Sequence, residues 1–586
     1  MNLFSRIETD LVAILADLQS TGVLPSELDV SRVNVEPPRD ETHGDMATNA
    51  AMVLAKPAGM NPRELAAILV GRLTALPDVE SCDIAGPGFV NLRLAASFWR
   101  SLVPEILKNG LAYGSNSQHK GERVSLEYVS ANPTGPMHVG HARGAVFGDA
   151  LARLLEKTGH EVLREYYIND SGSQVDVLAR SALLRMREAL GEEIGEIPAG
   201  LYPGDYLKPV GAALAEEYGA DLLRQDEAAQ LEAGKSLALP MMMDMIRTDL
   251  AALGIEHKFF LSEQSLHDDG SVEAAFETLQ QAGLVYHGVL EPPKGKEPPA
   301  DWQASPQYLF KSSEFGDDSD RALRKSDGAW TYFAPDIACH FNKFNRGYAQ
   351  MIDVWGADHI GYIKRMQSAV TAITGGQGAL EVKVCNLVKL QRAGEPVKMS
   401  KRSGDFVTLR DVVDEVGKDV LRFMMLTRKN DAPLDFDFDL VKQKSRENPV
   451  FYVQYAHARI CSVLRNAQQA GFAASGTTDA ALSAIDLSSL SDPSELGLMR
   501  GLANYPRMLA SAAEAREPHR VAFYLQELAA QFHALWNLGK ERPELRFIQE
   551  DDAAGSYARL ALLRATAITL ACGLDVIGVE PEVEMR

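Results

Sequence analysis

Cysteine is scarce in this chain, with five in 586 residues, and no two of Cys82, Cys339, Cys385, Cys461 and Cys572 form a Cys-x-x-Cys pair. Such spacing excludes a disulfide framework and a cysteine-built zinc module, and it fits a reduced, intracellular protein. Long apolar runs are missing too. No stretch approaches the ~20 apolar residues of a membrane-spanning helix. The opening MNLFSRIETDLVAILADLQ is broken by Arg6, Glu8, Asp10 and Asp17, where a signal peptide would be continuous. A cytoplasmic location and no membrane partner are expected. Positive charge is in deficit, with 59 Lys and Arg against 80 Asp and Glu and a net charge of -21. That balance excludes indiscriminate coating of polyanions, because non-specific nucleic-acid binding rests on neutralising phosphates. Any nucleic-acid contact needs a local basic surface. Repeats with the periods of solenoids or propellers are absent as well.

What is present is enough chain for two to four domains. The stretch to about residue 115 mixes helical segments with strand-like ones such as GFVNLRL (88–94), which predicts a small α/β domain. VSLEYVS (124–130) reads as a strand. A Pro/Gly corner follows, NPTGPMHVGHARG (132–144), and then a helix with Val146, Ala150, Leu151, Leu154 and Leu155 in period and Gly159 at its C-terminal cap. HEVLREYYIND (160–170) is a second strand, which completes the βαβ grammar of a parallel sheet. Residues 175–305 carry long helical stretches, a Met cluster that reads as core filler, and LEPPKGKEPPADWQASP, which reads as a surface loop or arm. Sheet-like signals return in GAWTYFAPDIACHF and in MIDVWGADHIGYIKR (351–365), so one sheet interrupted by an insertion is the simplest account. Beyond about residue 440 the pattern is nearly all helical, with a linker near AGFAASGTTDAALS (470–483), which predicts a helix bundle.

The corner suits phosphate. A strand that ends in a Pro/Gly loop directly before a helix turns backbone N–H groups and the positive helix end toward a ligand above the sheet edge. Gly140 allows close approach, and His138 and His141, one helical turn apart, can aim both imidazoles at one anion. A bland alternative stands beside this, since two histidines near a turn are commonplace. Further along, VKMSKRSG (397–404) sets Lys398, Lys401 and Arg402 around Ser400 and beside Gly404. That is a cationic loop able to close on phosphates, or simply a solvated one.

Taken together and in this order, the two sites resemble the HIGH and KMSKS signatures of class I aminoacyl-tRNA synthetases. The wider stretches LEYVSANPTGPMHVGHARG, YYINDSGSQ, TYFAPDIACHFNKF, DVWGADHIGYIKRM and LDFDFDLVKQKSRENPVFYVQYAHARI resemble the arginyl-tRNA synthetase family along essentially the whole chain. The resemblance implies an α/β catalytic domain with a Rossmann-like parallel sheet over 116–435, interrupted by a connective insertion at about 175–305. It further implies a small N-terminal α/β domain that meets the tRNA elbow at its D-loop (1–115) and a C-terminal all-α anticodon-binding bundle (436–586). The implied activity is ATP-dependent attachment of L-arginine to tRNA(Arg) through an arginyl-adenylate. ATP and Mg2+ carried with it are the expected cofactors, and a monomer is the expected state.

Carried over by motif match, Pro133, Gly135, His138, Gly140, His141, Lys398, Met399, Ser400 and Lys401 would bind ATP, with His138, His141, Lys398 and Lys401 acting in catalysis. Tyr332 and Asp336 would face the arginine side chain, with Glu127 in support, His141 adjoining, and Ser130 and Asn132 at its α-amino and carboxylate end. His359 stands where many relatives carry glutamine. Chemistry agrees, because a guanidinium is a planar, permanently charged fork of five donors and wants carboxylates. Asp336 also reads as a helix N-cap before IACHF. In the tail, Tyr452, Tyr455, His457 and Arg459 could stack on and clamp splayed anticodon bases or serve helix packing. The LDFDFD aspartates lack the glycine and distal glutamate of a calcium loop, so no protein-held metal is expected, zinc included. Three other readings stay open: a different class I synthetase, a small nucleotidyltransferase, and a non-enzymatic RNA-binding relative.

Overall fold

The computed structural model describes residues 3–38, 40–290, 305–397 and 407–585. Near the N-terminus, four strands form an antiparallel sheet in the order Val35–Glu36, Met46–Thr48, Phe89–Leu94, Val79–Ala85. Helices Leu3–Ser20 and Pro62–Leu73 accompany it, the first burying Leu3, Phe4, Ile7, Leu11, Leu15 and Leu18 at helical spacing.

The central sheet is parallel throughout. Its strands are β1 (Arg123–Glu127), β2 (Glu161–Ile168), β3 (Phe259–Ser262), β4 (Gln350–Gly356) and β5 (Ala379–Cys385), in the spatial order β5-β4-β1-β2-β3. The chain starts in the middle, runs outward through β2 and β3, and then returns to the other side of β1. The order therefore reverses between β1 and β4, the point above which open parallel sheets bind ligands. Helix α1 (Val139–Lys157) joins β1 to β2 and is buried on most of its circumference, so its N-terminus is fixed at that crevice.

Two sequence expectations need correction here. GAWTYFAPDIACHF does not form sheet; helix α2 (Phe333–Asn345) occupies most of it. Its apolar residues Phe333, Ala334, Ile337 and Ala338 recur with helical period, and the mixed aromatic content masked that spacing. Nor is 175–305 one insertion. Helices Ser173–Ala189, Lys208–Tyr218 and Glu227–Ala252 build a satellite core around Leu178, Met186, Leu214 and Met242, yet β3 then rejoins the parallel sheet as its edge. The short strand FFLS was too brief to stand out beside the long helices. The Pro/Lys/Glu arm at 291–304 lies outside the described residues.

The C-terminal part is helical, with α3 (Pro449–Gln469), α4 (Pro493–Ala515), α5 (His519–Glu541) and α6 (Ala553–Val576). Apolar on all sides, α6 runs through the middle of the bundle. The bundle also meets the N-terminal part: Arg100 Nη1 donates to the Ser488 carbonyl (2.8 Å), Tyr113 Oη to that of Leu502 (2.9 Å), and Arg500 pairs with Asp45 (2.7 Å).

Candidate active site

His138 is the N-cap of α1, and its Nδ1 accepts the Gly140 N–H at 3.0 Å. His141, three residues on, returns the contact: its Nδ1 accepts the His138 N–H at 3.3 Å. The pair is a capping box made of imidazoles, and the rings stack with centroids 3.9 Å apart at 20°. Because each Nδ1 accepts a backbone proton, each neutral ring carries its own proton on Nε2. Two parallel N–H donors thus stand at a helix N-terminus, which is the polarity an anion requires. A Cβ at position 140 would come within 2.6 Å of the His138 ring, so a larger residue there would displace the capping imidazole. At Gly135 a Cβ would meet the Tyr206 ring at 2.8 Å, and the hydroxyl of that tyrosine donates to the Thr134 carbonyl at 2.8 Å, so the satellite core braces the Pro133–Gly135 turn.

Lys398, Met399, Ser400 and Lys401, with Arg402 and Gly404, lie outside the described residues. The segment that follows them is described, and it docks on the corner. The Leu409 N–H donates to the Met137 carbonyl at 2.7 Å, and His138 and Thr408 form a bridge.

At the end of β1 lies a pocket of buried charge. Register places Asp353 of β4 directly opposite Glu127 of β1, and Lys343 of α2 reaches both, at 2.6 Å from Glu127 and 3.1 Å from Asp353. His340 completes the group, with Nε2 2.9 Å from Asp353 and Nδ1 2.7 Å from the Asp336 carbonyl. Burial would depress the Lys343 ammonium, but Asp353 and Glu127 outweigh it and hold it well above its usual range. Burial would likewise raise Asp353, yet Lys343 and His340 keep it at about 2. Glu127 moves the other way, pushed up by burial.

Of the remaining arginine-site candidates, Ser130 joins this group directly. Ser130 Oγ donates to Glu127 Oε1 (2.9 Å) and accepts the Tyr167 N–H (3.0 Å). Val129 and Ser130 hold φ of 74° and 37°, a left-handed turn that costs backbone strain and swings Ser130 back over β2. Asn132 donates to Gln174 at 2.8 Å. Asp336 sits in the first turn of α2 and accepts the Tyr362 hydroxyl at 2.6 Å; no Lys or Arg pairs with it among the described residues. Burial pushes its carboxyl up to about 7, against the hydrogen bond from Tyr362. The N-cap is Tyr332, not Asp336. Tyr332 is 78% exposed and the His359 side chain 63%, so neither is folded into the pocket; His359 Nε2 lies 3.4 Å from the carboxylate of its neighbour Asp358.

Sequence reasoning missed Lys343, His340, Asp353, Tyr362 and Tyr167. A signal existed on α2, where Asp336, His340 and Lys343 are spaced four and three residues apart along one face of a largely apolar helix. The Tyr167 hydroxyl is buried without a hydrogen-bond partner among the described residues, within electrostatic range of Asp336, Glu263 and Glu127. An orphan of that kind beside a carboxylate invites a polar ligand.

On α3, Tyr452, Tyr455 and Arg459 share a face. The Arg459 guanidinium lies over the rings of Tyr455 (4.1 Å) and Trp536 (4.7 Å) and donates to His533 Nδ1 (3.3 Å), while Tyr452 packs on His533 at 4.6 Å. His457 is a correction. It points to the other side of the helix, is buried, and bonds the Glu582 carbonyl at 2.7 Å, so it ties down the chain's tail. His533 and Trp536 were not singled out from sequence.

A parallel sheet with a histidine-capped helix at its switch point belongs to a definable class, and residues 102–197 match the family described as "tRNA synthetases class I (R), catalytic domain". Residues 5–94 match "Arginyl tRNA synthetase N terminal domain" and 453–585 match "DALR anticodon binding domain". Over its full length the chain is 61% identical to the arginine–tRNA ligase of Parvibaculum lavamentivorans and 57% identical to that of Ruegeria pomeroyi, each covered completely. The solved Thermus thermophilus arginyl-tRNA synthetase shares the fold, with a TM-score of 0.71 over 99% of this chain and 100% of that one at 22% identity. This chain belongs to the arginyl-tRNA synthetase family.

Proposed function

We infer that the protein is an arginine–tRNA ligase that charges tRNA(Arg) with L-arginine using ATP. What supports this reading is the imidazole-capped start of α1 at the sheet's switch point together with Asp336, a desolvated carboxyl that accepts the Tyr362 hydroxyl and pairs with no Lys or Arg among the described residues. A guanidinium supplies the missing charge.

In this reading the arginine carboxylate attacks the α-phosphorus of ATP, the bond to the β-phosphate oxygen breaks, and pyrophosphate leaves with the Mg2+ that entered on ATP. A tRNA ribose hydroxyl then takes the acyl group and releases AMP. His138 and His141 hold the phosphate oxygens that gain charge, so catalysis is positioning and fixed donors, not proton transfer. Lys398 and Lys401 hold the departing pyrophosphate, with Met399 and Ser400 between them, while Pro133, Gly135 and Gly140 shape the floor under the nucleotide. Asp336 binds the guanidinium, oriented by Tyr362. Ser130 and Asn132 hold the α-amino and carboxylate end, and Glu127 supports them through Ser130. Tyr332 and His359 belong to the rim. Residues 1–115 serve the tRNA elbow, 116–435 the chemistry, and 436–586 the anticodon, where Tyr452, Tyr455 and Arg459 offer stacking surfaces. We assign the protein to the cytoplasm as a monomer; no helix among the described residues is long and apolar enough to cross a membrane.

The test is charging of total tRNA with labelled arginine and, separately, lysine, with and without ATP. ATP-dependent capture of arginine alone is expected, because a pocket built for a guanidinium leaves buried acceptors unpaired when lysine enters. Folded, tRNA-binding protein that captures neither amino acid would overturn the reading.

A further inference from the structure

Away from the active site, at the opposite end of α1, three side chains converge from two separate segments. We propose that His119, Glu122 and His160 bind one divalent transition-metal ion of the zinc type, which ties the segment entering β1 to the turn between α1 and β2. One potential ligand atom from each residue lies within 4.8 Å of the others. His119 Nδ1 is 3.0 Å from Glu122 Oε1, His160 Nε2 is 3.7 Å from Glu122 Oε2, and the two imidazoles stack at 4.2 Å.

A second observation is independent of that proximity. The His160 side chain is 1% exposed, and its Nε2 has no hydrogen-bond partner among the described residues. Its Nδ1 lies 3.1 Å from both the Leu155 carbonyl and Thr158 Oγ, and the Thr158 hydroxyl gives its own proton to that same carbonyl at 2.9 Å. Both neighbours of Nδ1 are therefore acceptors, so Nδ1 carries the proton and Nε2 keeps its lone pair. That lone pair faces Glu122 Oε2 at 3.7 Å, and two acceptors cannot satisfy each other. Glu122 already accepts from His119 and Gln350, so the orphan is the His160 nitrogen, and a cation between the two serves it. A histidine whose far N–H is held by a backbone carbonyl is the usual arrangement behind a metal ligand.

Two imidazoles and a carboxylate form a donor set suited to Zn2+, with water completing the sphere. The side chains of His119 and Glu122 are 30% and 43% exposed, which gives the ion an entry path and room for that water. Gln350 Nε2 approaches Glu122 Oε2 at 3.5 Å from β4. Arg516, a cation within range of His160, is itself paired with Glu381 at 3.6 Å. The frame is also built in advance. The N–H groups of Asn116, His119 and Glu161 donate to the carbonyls of Lys157, Thr158 and Glu122 at 2.9, 3.1 and 2.9 Å, so binding orders little new chain. Sequence gave no hint of this set, because His119 and His160 stand on either side of β1 and α1 and form no ligand motif.

The experiment uses the full-length protein, stripped with a chelator and titrated with Zn2+ or, for its absorption spectrum, Co2+. One ion per chain is expected, with a dissociation constant on the order of micromolar or tighter. Glu122→Gln and His119→Ala, both at partly exposed positions, should each weaken binding by at least about tenfold while arginine charging and the circular dichroism spectrum stay as in the parent. Added Zn2+ should raise the unfolding temperature of the parent and not of the variants. Absence of stoichiometric binding below about 100 µM, or equal binding by parent and both variants, would overturn the proposal.

Discussion

The histidine corner and the buried-charge pocket proposed for the guanidinium are built in opposite ways. The corner is local: the His138 and His141 imidazoles cap the Gly140 and His138 N–H groups within a single helical turn. The pocket is assembled from β1, β2, α2, β4 and the segment before residue 363, and it hides a lysine and two carboxylates below the surface. Local construction lets a site be altered at small cost to the fold. Dispersed, buried construction couples chemistry to stability, because every partner removed leaves an unpaired charge inside.

That contrast is sharpest at Lys343. Lys343→Met should destabilise the protein by about 3–5 kcal/mol, since Glu127 and Asp353 would then face each other uncompensated. Urea unfolding checks it, and adding Glu127→Gln to the same protein should restore part of the loss. At the corner the balance reverses. His141→Ala should slow arginine-dependent pyrophosphate exchange about a hundredfold, or ~3 kcal/mol. The cost in stability should stay near ~1 kcal/mol, the worth of a helix cap, with tRNA affinity unchanged. An activation rate close to that of the parent would remove the corner from the chemistry.

The same difference explains what could be read from the sequence. The corner was legible because its physics is confined to consecutive residues: a Pro/Gly turn, a glycine where a Cβ would displace the capping imidazole, and histidines one turn apart. The parallel βαβ unit was legible for the same reason, through period and caps. The buried network was not, since nothing in the spacing of Glu127, Lys343 and Asp353 reveals that β4 returns beside β1 to pair them. His457 failed in the other direction. It is close in sequence to Tyr455 and Arg459, but the helix turns it away from them and into the interior.

Between these extremes stands Asp336, half in each world, buried enough to be pushed up to about 7 and still placed to meet a ligand. Asp336→Asn should weaken arginine by roughly 2 kcal/mol, about thirtyfold, through loss of a charge-assisted contact. ATP affinity should hold. Binding of both substrates as in the parent would show the guanidinium site to be elsewhere.

The smallest effect is also the most specific to this pocket, because it depends on protonation alone. Only the ionised Asp336 can pair with a guanidinium. With its carboxyl at about 7, the ionised fraction falls from about nine-tenths at pH 8 to just under one-tenth at pH 6, so apparent arginine affinity should fall about tenfold over that interval. Binding near pH 6.5 should release most of a proton, seen as a buffer-dependent heat. The stability contribution has the opposite slope. An acid raised in the folded state is favoured while protonated, so this group's contribution to stability is lost as pH rises from about 4 toward about 7. Arginine supplies the counter-charge and offsets that loss, so its protection against unfolding should grow with pH across the same range. The histidine corner makes no such demand of arginine. Asp336→Asn should flatten both profiles, and an arginine dependence that stayed level from pH 6 to pH 8 in the parent would mean that the pocket meets its ligand without this carboxylate.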